Sequence, residues 1–294
     1  MKITNSMGLP TPFVSMAQSD YERGPNEYRV TSLLKGTREA ILERRHEADI
    51  ERDVSDMIWL LFGTAVHSIL ERSTEAGDEI KETRLKVEIG NYTLSGQFDL
   101  YSESQKRITD YKTCSVWKVI FGDYSDWRQQ ILIYCWMMRK TGFEATEGEI
   151  VAIMKDHSKA DAKRKPDYPK FPVKRIPFHF TEEDFAECEE WLAAKFEEIE
   201  FCETLPDAEL PLCTPEERYN SGDKYAIMKN GRKTALRVLS DLEEAENWRA
   251  ANGGDFIERR PGVDKKCADY CAACDYCAHY QQNVKGEQED GRAE

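Results

Sequence analysis

Two aspartates and a lysine lie on neighbouring segments that the sequence predicts as the two strands of one β-hairpin. Leu94 to Tyr101 and Arg107 to Lys112 are rich in aliphatic and aromatic residues, and the polar stretch 102–106 separates them. Folding this hairpin symmetrically places Asp99 opposite Asp110, with their Cβ atoms roughly 5 Å apart. Because two like charges so close together repel each other, the pattern indicates a compensating cation.

Asp110 and Lys112 are two positions apart, so their side chains lie on the same face of the second strand. Two carboxylates and a lysine on one sheet face can hold Mg²⁺, activate a water molecule and stabilise a pentavalent phosphate. The alternative is that these residues are ordinary solvent-facing charges, because isolated D-x-K tripeptides are common in charged chains. The order of the surrounding residues favours the first interpretation.

Four short motifs follow one another along the chain, the first and last on predicted helices and the middle two on the predicted hairpin. Their order is G-x-x-x-H, G-x-x-D, D-x-K and Q-x-x-x-Y. The residues that carry them are Gly63 and His67, Gly96 and Asp99, Asp110 and Lys112, and Gln130 and Tyr134. This order resembles the RecB-like branch of the PD-(D/E)XK nuclease superfamily, which includes phage exonucleases.

The resemblance implies a role for each matching residue of the predicted catalytic and metal site. His67, Asp99 and Asp110 would be ligands of a divalent metal, Mg²⁺ or Mn²⁺, and the carbonyl oxygen of Tyr111 would be a further ligand. Lys112 would position the attacking water or stabilise the transition state.

The resemblance also implies roles for the downstream helix and a fold for the chain. Gln130 and Tyr134, one helical turn apart, would contact the DNA backbone or brace the site. The fold would be α/β (α+β), with a mixed central β-sheet flanked by helices. The local patterns agree, since three predicted strands, a helix and further strands follow one another after the helix that carries His67.

Composition limits what surrounds this core. The chain has 294 residues, a net charge of −14 and nine cysteines. The N-terminus lacks a basic start followed by an apolar run, and the longest apolar run is too short to span a bilayer. We therefore expect a cytoplasmic protein without membrane contact, in a bacterial host cell if it is phage-encoded. In that compartment the cysteines predict free thiols or a metal site rather than disulfides.

An acidic chain that binds DNA needs a local basic surface. Lys155 to Arg175 carries eight lysines and arginines against three aspartates, a local charge of +5. One interpretation is a solvated loop. The other is a basic flap over a DNA strand, in which Lys163, Arg164 and Lys165 neutralise phosphates and Tyr168 stacks on a base.

The predicted elements divide the chain into four segments. Residues 1–30 form an irregular N-terminal segment, 31–204 the nuclease core, 205–281 a C-terminal appendage and 282–294 a disordered tail. Helices are expected at Leu33 to His46 and Glu51 to Ala76, among others. In the appendage, Lys229 to Arg232 predicts a type I′ hairpin turn.

Four cysteines within eleven positions mark a metal centre in the appendage. They are Cys267, Cys271, Cys274 and Cys277. They resemble the cluster of the CRISPR-associated iron–sulfur exonucleases, which implies a 4Fe–4S cluster, although those relatives place their fourth cysteine far upstream. A structural zinc site is the alternative.

The predicted cluster ligands are three cysteines of this loop and one remote thiol. A compact loop wraps one side of a cubane readily, whereas four ligands from eleven residues would crowd its backbone. Cys213 lies in a proline-bounded loop that leads into the appendage and is the predicted remote thiol. Within the cysteine loop the resemblance implies Cys267, Cys271 and Cys277, because the spacing from Cys271 to Cys277 matches the last cysteine pair of the iron–sulfur exonucleases, with Cys274 as the alternate.

The sequence as a whole predicts a metal-dependent DNA exonuclease that processes linear DNA ends in recombination or repair. A recombinase or single-strand annealing protein is a possible partner. A non-catalytic DNA-binding or assembly module on the same fold is one alternative, and a nuclease of CRISPR adaptation is another. The complete set of Asp99, Asp110 and Lys112 favours catalysis over the module.

Overall fold

The computed structural model describes residues 1–17, 23–73 and 77–285. They fall into two compact units. The first comprises Met1–Ala40 and Glu47–Thr204, and the second comprises Ile41–His46 and Leu205–Glu294. None of the helices in these described ranges combines the length and the apolar character that a membrane crossing requires.

The elements that begin in the first unit form a mixed α/β arrangement. They are, in chain order, β1 (Lys2–Thr4), α1 (Thr11–Ala17), β2 (Glu27–Arg29), α2 (Val30–Leu33), α3 (Thr37–Arg45), β3 (Glu51–Asp53), α4 (Ile58–Glu71), β4 (Glu79–Ile89), β5 (Tyr92–Ser102), β6 (Arg107–Cys114), α5 (Val116–Phe121), α6 (Ser125–Lys140), β7 (Glu147–Met154), α7 (Lys159–Arg164), β8 (Val173–His179) and α8 (Glu182–Glu203). A short 3₁₀ turn, Val54–Met57, precedes α4.

Strand β5 is the centre of a six-stranded sheet. It pairs antiparallel with β4 from Tyr92 to Ser102, except at the opposed residues Glu82 and Asp99. Its other edge pairs parallel with β2 at 93–95 and antiparallel with β6 at 100–102. Beyond β6, strand β7 is parallel and β8 antiparallel. The predicted mixed sheet flanked by helices is therefore confirmed, and residues 96–99 of β5 lie between two partner strands on one edge.

Helix α6 packs its apolar side chains into the core of the first unit. Residues 130–138 of this helix are all buried, and Gly148 of β7 gives Ile131 room, since a Cβ there would lie 2.2 Å from the Ile131 side chain. Helix α8 begins with a capping box, in which Thr181 and Asp184 exchange hydrogen bonds. The two tryptophans and two methionines of α6 are core residues.

Two predicted helices differ from the structure. The stretch 33–46 is divided into α2 and α3, because the backbone leaves the helical conformation at 35–36, where Gly36 lies. The stretch 51–76 becomes strand β3, a 3₁₀ turn and α4. Its first residues are extended because they pair parallel with β1. The Asp53 side chain then caps the turn by accepting a hydrogen bond from the Ser55 N–H. Residues 74–76 lie outside the described ranges.

The second unit contains a three-stranded antiparallel sheet. Its elements are β9 (Lys224–Met228), β10 (Arg237–Leu239), α9 (Leu242–Asn252), β11 (Phe256–Arg260) and α10 (Lys265–Asp269). Strand β9 is central.

Two predictions for this unit need correction. The predicted type I′ hairpin turn is wrong, because β9 and β10 are joined by the longer segment 229–236. The ladder does not continue into this segment, where the Asn230 N–H donates a hydrogen bond to the Asp255 carboxylate instead. The predicted disordered tail, 282–294, begins inside a π-helical turn formed by Tyr280–Val284. Residues 286–294 lie outside the described residues.

Candidate active site

The two predicted carboxylates lie where the β5–β6 ladder ends. The ladder pairs Leu100 with Thr109 and Ser102 with Arg107, which confirms the predicted symmetric register. Asp99 and Asp110 occupy the next opposed position, and both are buried. The ladder is not continued there: the Oδ2 atom of Asp99 accepts a hydrogen bond of 2.5 Å from the Tyr111 N–H. A carboxylate thus replaces a backbone carbonyl as the acceptor.

Lys112 lies beside Asp110 on the same face of β6, as the strand period requires. Its Nζ atom is 2.8 Å from Oδ2 of Asp110. The approach is that of an ion pair and does not meet hydrogen-bond geometry, so this buried oxygen has no hydrogen-bond donor among the described residues. The other oxygen, Oδ1, accepts a long hydrogen bond of 3.4 Å from the Gln130 amide.

His67 joins helix α4 to this pair of strands. Its Nδ1 atom lies 2.9 Å from Oδ1 of Asp99 and 3.9 Å from Oε1 of Glu82. The hydrogen bond to Asp99 and the nearby carboxylate of Glu82 raise the pKa of the imidazole to about 10, against the opposing effect of partial burial. Burial raises the pKa of Asp99 to about 6, with a further contribution from the charge of Asp110, although the bond to His67 acts in the other direction.

Glu82 is a site residue that the sequence reasoning missed. It lies on β4 opposite Asp99, and its φ of +43° is a left-handed conformation that non-glycine residues adopt rarely. The backbone therefore leaves the ladder at this point, and Glu82, His67 and Asp99 bring three ligand atoms within 4.8 Å of one another. A symmetric β4–β5 hairpin through 90–91 places Glu82 opposite Asp99, so hairpin symmetry is the sequence signal that could have identified Glu82.

Gln130 and Tyr134 of α6 lie behind the site. Both side chains are buried, and the Gln130 amide donates to the Tyr134 hydroxyl at 3.0 Å as well as to Asp110. Burial raises the pKa of Tyr134 well above its usual range. Of the two predicted roles, bracing the carboxylates agrees with this position, because buried side chains do not present a surface to the DNA backbone.

Gly96 allows Tyr134 to reach this position. A Cβ atom at residue 96 would lie 2.6 Å from Cε1 of the Tyr134 ring and 2.9 Å from Cγ2 of Val30. The glycine of the G-x-x-D motif therefore has a packing role, since it brings the β5 backbone against the ring that braces Asp110 through Gln130.

The basic segment is partly helical rather than a loop. Helix α7 begins after Ser158, and Asp161 forms ion pairs with Arg164 at 3.0 Å and Lys165 at 3.4 Å. Tyr168 is buried, and its hydroxyl accepts a hydrogen bond from the Ser158 N–H. Its ring is thus packed into the protein and not presented to a base. The exposed aromatic ring of this segment belongs to Phe171.

The second unit contains five cysteines within the described ranges. They are Cys213, Cys267, Cys271, Cys274 and Cys277. The pKa of Cys267 is raised to about 11, chiefly by burial and in smaller part by the neighbouring Asp264, Cys213 and Cys277. Electrostatic coupling of this kind requires proximity. The remote Cys213 is therefore a neighbour of the cysteine loop.

Asp264 and His279 lie beside the cysteine loop, and the sequence reasoning did not select either. The Asp264 carboxylate forms an ion pair with Arg218 at 3.0 Å, a hydrogen bond with His279 at 2.7 Å and another with Asn220. Asp264, Cys267 and His279 bring three ligand atoms within 4.8 Å of one another.

Comparisons with known proteins complete this description. Residues 72–279 match the family model of the PD-(D/E)XK nuclease superfamily, a match that covers more than half of the chain and begins after His67. Comparison with curated proteins gives no significant match.

Solved structures that match part of this chain have low sequence identity. SSO0001 is 15% identical with a TM-score of 0.46, over 64% of this chain and 82% of that one. A phage-related exonuclease from Haemophilus somnus 129PT is 13% identical with a TM-score of 0.29, over 63% and 75%. LHK-Exo in complex with dAMP is 16% identical with a TM-score of 0.34, over 58% and 91%. With TM-scores this low, the assignment depends on the family match, and by that match the chain belongs to the PD-(D/E)XK nuclease superfamily.

Proposed function

We propose that this chain is a divalent-metal-dependent DNA exonuclease that hydrolyses phosphodiester bonds at the ends of linear DNA. One observation carries the proposal: His67, Asp99, Asp110 and Lys112, which come from a helix and two strands, converge at one end of the β5–β6 ladder. The superfamily match supports a nuclease fold, and the convergence of these side chains supports phosphodiester hydrolysis on that fold.

The side chains present fit Mg²⁺ or Mn²⁺. The ligand set would be His67, Asp99, Asp110 and the carbonyl of Tyr111, with Glu82 added from the structure. Carboxylate and carbonyl oxygens suit these hard cations, and the buried Oδ2 of Asp110 lacks a hydrogen-bond donor among the described residues, which favours a cation as its partner. When bound, the metal supplies polarisation of the phosphate and a lower pKa for an attacking water.

The protein's own groups position the substrate and stabilise charge. Lys112 carries a positive charge beside Asp110, where it can hold the attacking water or stabilise the negative charge that develops on the phosphate. Gln130 holds one oxygen of Asp110, and Tyr134 holds Gln130. These two buried residues keep the carboxylate in one orientation, and such preorganisation is what lowers the barrier.

The test is incubation of the purified protein with end-labelled linear DNA and with covalently closed circular DNA of the same sequence. We expect nucleotides to be released from the linear DNA in Mg²⁺ or Mn²⁺, no release with EDTA, and intact circles throughout. Cleavage of the circles would indicate an endonuclease. Binding without cleavage under all metal conditions would favour the non-catalytic module.

The proposed biological role is the processing of DNA ends in recombination or repair, in the manner of the RecB-like phage exonucleases that the motif order resembles. The setting would be the cytoplasm of a bacterial host, with a recombinase or annealing protein as the partner that receives the processed strand. A CRISPR-adaptation role is the second candidate, favoured by the C-terminal cysteines alone. Co-purification with an annealing protein or with an integrase would discriminate between the two.

A 4Fe–4S cluster in the second unit is part of the proposal. Its ligands would be Cys213, Cys267, Cys271 and Cys277, with Cys274 as the alternate. The proximity of Cys213 and Cys277 to Cys267 supports this set.

Anaerobic purification of single cysteine-to-alanine variants tests this assignment. In the wild type we expect iron, sulfide and an absorption band at about 400 nm, as in other protein iron–sulfur centres. Cys213→Ala should lose the iron. Full iron in Cys213→Ala together with loss in Cys274→Ala would assign the four clustered thiols instead. Zinc without sulfide in the wild type would replace the cluster with a structural zinc site.

A further inference from the structure

Helix α4 is apolar, yet none of its residues is buried. Trp59, Leu60 and Phe62 are 61%, 58% and 41% exposed, which is unusual for three large apolar side chains within four positions. A helix with apolar residues on all its faces is normally covered by other parts of the protein. The exposed end of α4 therefore presents a surface that a ligand can cover.

This surface is continuous with the candidate active site. His67 of the same helix contacts Asp99, and one turn earlier a Cβ on Gly63 would lie 3.4 Å from Oγ1 of Thr113, the residue after Lys112. A rise of 1.5 Å per residue places Trp59 about 12 Å from His67 along the helix axis. The exposed rings thus lie over the C-terminal end of β6.

A cation lies against the first of these rings. The Nζ atom of Lys155 is 3.9 Å from the centre of the Trp59 ring, and the Lys155 N–H donates to the carbonyl of Cys114 at the end of β6. Lys155 forms no ion pair with a carboxylate within the described ranges. Its charge is therefore available to an anion, next to aromatic faces that are open to solvent.

We infer that Trp59, Phe62 and Lys155 form a stacking platform for single-stranded DNA that leads to the active site. The inference rests on the proposed nuclease function and names the form of its substrate. An indole stacks on a nucleobase of any sequence, and the ammonium group neutralises the adjacent phosphate. At about 3.4 Å per stacked nucleotide, the platform lies about three to four nucleotides from the site.

Two features favour an unpaired strand over other occupants. In a duplex the base faces are covered by stacking, so only a single strand or a frayed end offers them to Trp59. A protein partner would have to bury the ammonium group of Lys155, which is costly without a counter-charge. A DNA strand brings that counter-charge with every phosphate.

The experiment measures binding of the full chain in EDTA, where cleavage is absent, by fluorescence anisotropy. The probes are a labelled oligothymidylate and an abasic oligomer of the same length, which keeps the phosphates and removes the bases. The variants are Trp59→Ala with Phe62→Ala, Trp59→Phe as the conservative change, and Phe201→Ala as a matched exposed aromatic of α8.

We expect the double variant to lose about ten-fold to a hundred-fold in affinity for oligothymidylate and less than two-fold for the abasic oligomer. Trp59→Phe and Phe201→Ala should bind both probes like the wild type. Because Trp59→Phe keeps an aromatic ring at this position, its DNA affinity can be interpreted even if the double variant folds poorly. Equal affinities of double variant and wild type for oligothymidylate would overturn the inference. The inference would also be overturned if the wild type were a dimer and the double variant were a monomer with the same DNA affinity.

The same preparations separate this inference from the proposed function. Absence of metal-dependent cleavage by the wild type would contradict the nuclease assignment, whatever the anisotropy shows. The wild type could cleave linear DNA while the double variant loses affinity for oligothymidylate and for the abasic oligomer to the same extent. That result would retain the nuclease assignment and reject base stacking at Trp59.

Discussion

The Nδ1 atom of His67 lies 2.9 Å from Oδ1 of Asp99, and the other carboxylate oxygen of Asp99 accepts the N–H of Tyr111. One buried side chain therefore connects helix α4, strand β5 and strand β6. Because both oxygens are already engaged by positive or polar groups, the carboxylate is held in one place before a metal arrives.

Removal of either partner of the Asp110–Lys112 pair should abolish cleavage and leave the fold and DNA binding largely intact. Asp110→Ala removes a proposed metal ligand, and Lys112→Ala removes a charge that stabilises the transition state, an effect of about 3 kcal/mol or more, or at least a hundred-fold in rate. Turnover on end-labelled linear DNA is the measurement. Lys140→Ala, an exposed lysine of α6, is the control. Near wild-type turnover in either site variant would show that the site is misassigned.

Glu82→Gln should weaken Mn²⁺ binding about ten-fold to a hundred-fold, the usual effect of losing a ligand or its supporting partner. Its carboxylate is within reach of His67 and Asp99, and the amide retains the size without the charge. Titration calorimetry of the purified protein gives the affinity. The matched control is Glu88→Gln, at the far end of the same strand, which should bind Mn²⁺ like the wild type. Equal affinities in both variants would remove Glu82 from the site.

Metal affinity should rise with pH. In the metal-free protein the pKa of His67 is about 10 and that of Asp99 about 6, so at neutral pH the imidazole is protonated and a bound metal must displace that proton. Affinity should therefore fall about ten-fold for each pH unit below 10, and more steeply below 6.

Calorimetry at pH 8 in buffers of different ionisation enthalpy measures this exchange directly. About one proton should be released per Mn²⁺ bound by the wild type. His67→Asn, which cannot carry that proton, should bind metal with no release at this pH. A wild-type protein that releases no proton would contradict the proposed role of His67 as a ligand.

Gly96→Ala should destabilise the first unit by about 1–3 kcal/mol, the usual cost of overpacking a filled site. The added methyl group would meet the Tyr134 ring at 2.6 Å and the Val30 side chain at 2.9 Å, both of which are buried. Chemical denaturation measures the free energy of unfolding. Gly77→Ala is the control, because no atom lies within 4 Å of its added methyl group. Stability equal to that of the control would mean that Tyr134 does not pack against β5.

Neutralisation of Lys163, Arg164 and Lys165 should weaken DNA binding and flatten its dependence on salt, by roughly one unit of slope for each phosphate that is no longer neutralised. Two of these cations already pair with Asp161, so the expected decrease is smaller than for three free charges. Affinity measured over a series of salt concentrations gives the slope. Because Tyr168 is buried, Tyr168→Phe should leave DNA affinity unchanged. An unchanged slope in the triple variant would identify this segment as a solvated surface.

The sequence alone was sufficient for the two strands that carry the aspartates and for the chemistry of their residues. Alternation of side chains predicted strands β5 and β6 and the register between them. The order of the motifs predicted the fold class, and it predicted that His67, Asp99, Asp110 and Lys112 lie together. These inferences succeed because strand and helix periods are local properties, and because a symmetric hairpin relates its two strands without reference to the rest of the chain.

Only the tertiary structure decided which of these side chains face the site. Glu82 enters it through a left-handed residue within a strand, Tyr168 turns into the core, and the exposed rings of α4 lie on a helix whose pattern predicts burial. The physical reason is the same in each case. Whether a polar or an aromatic group is covered depends on elements distant in the chain, and their packing against one another cannot be deduced from the period of a single element.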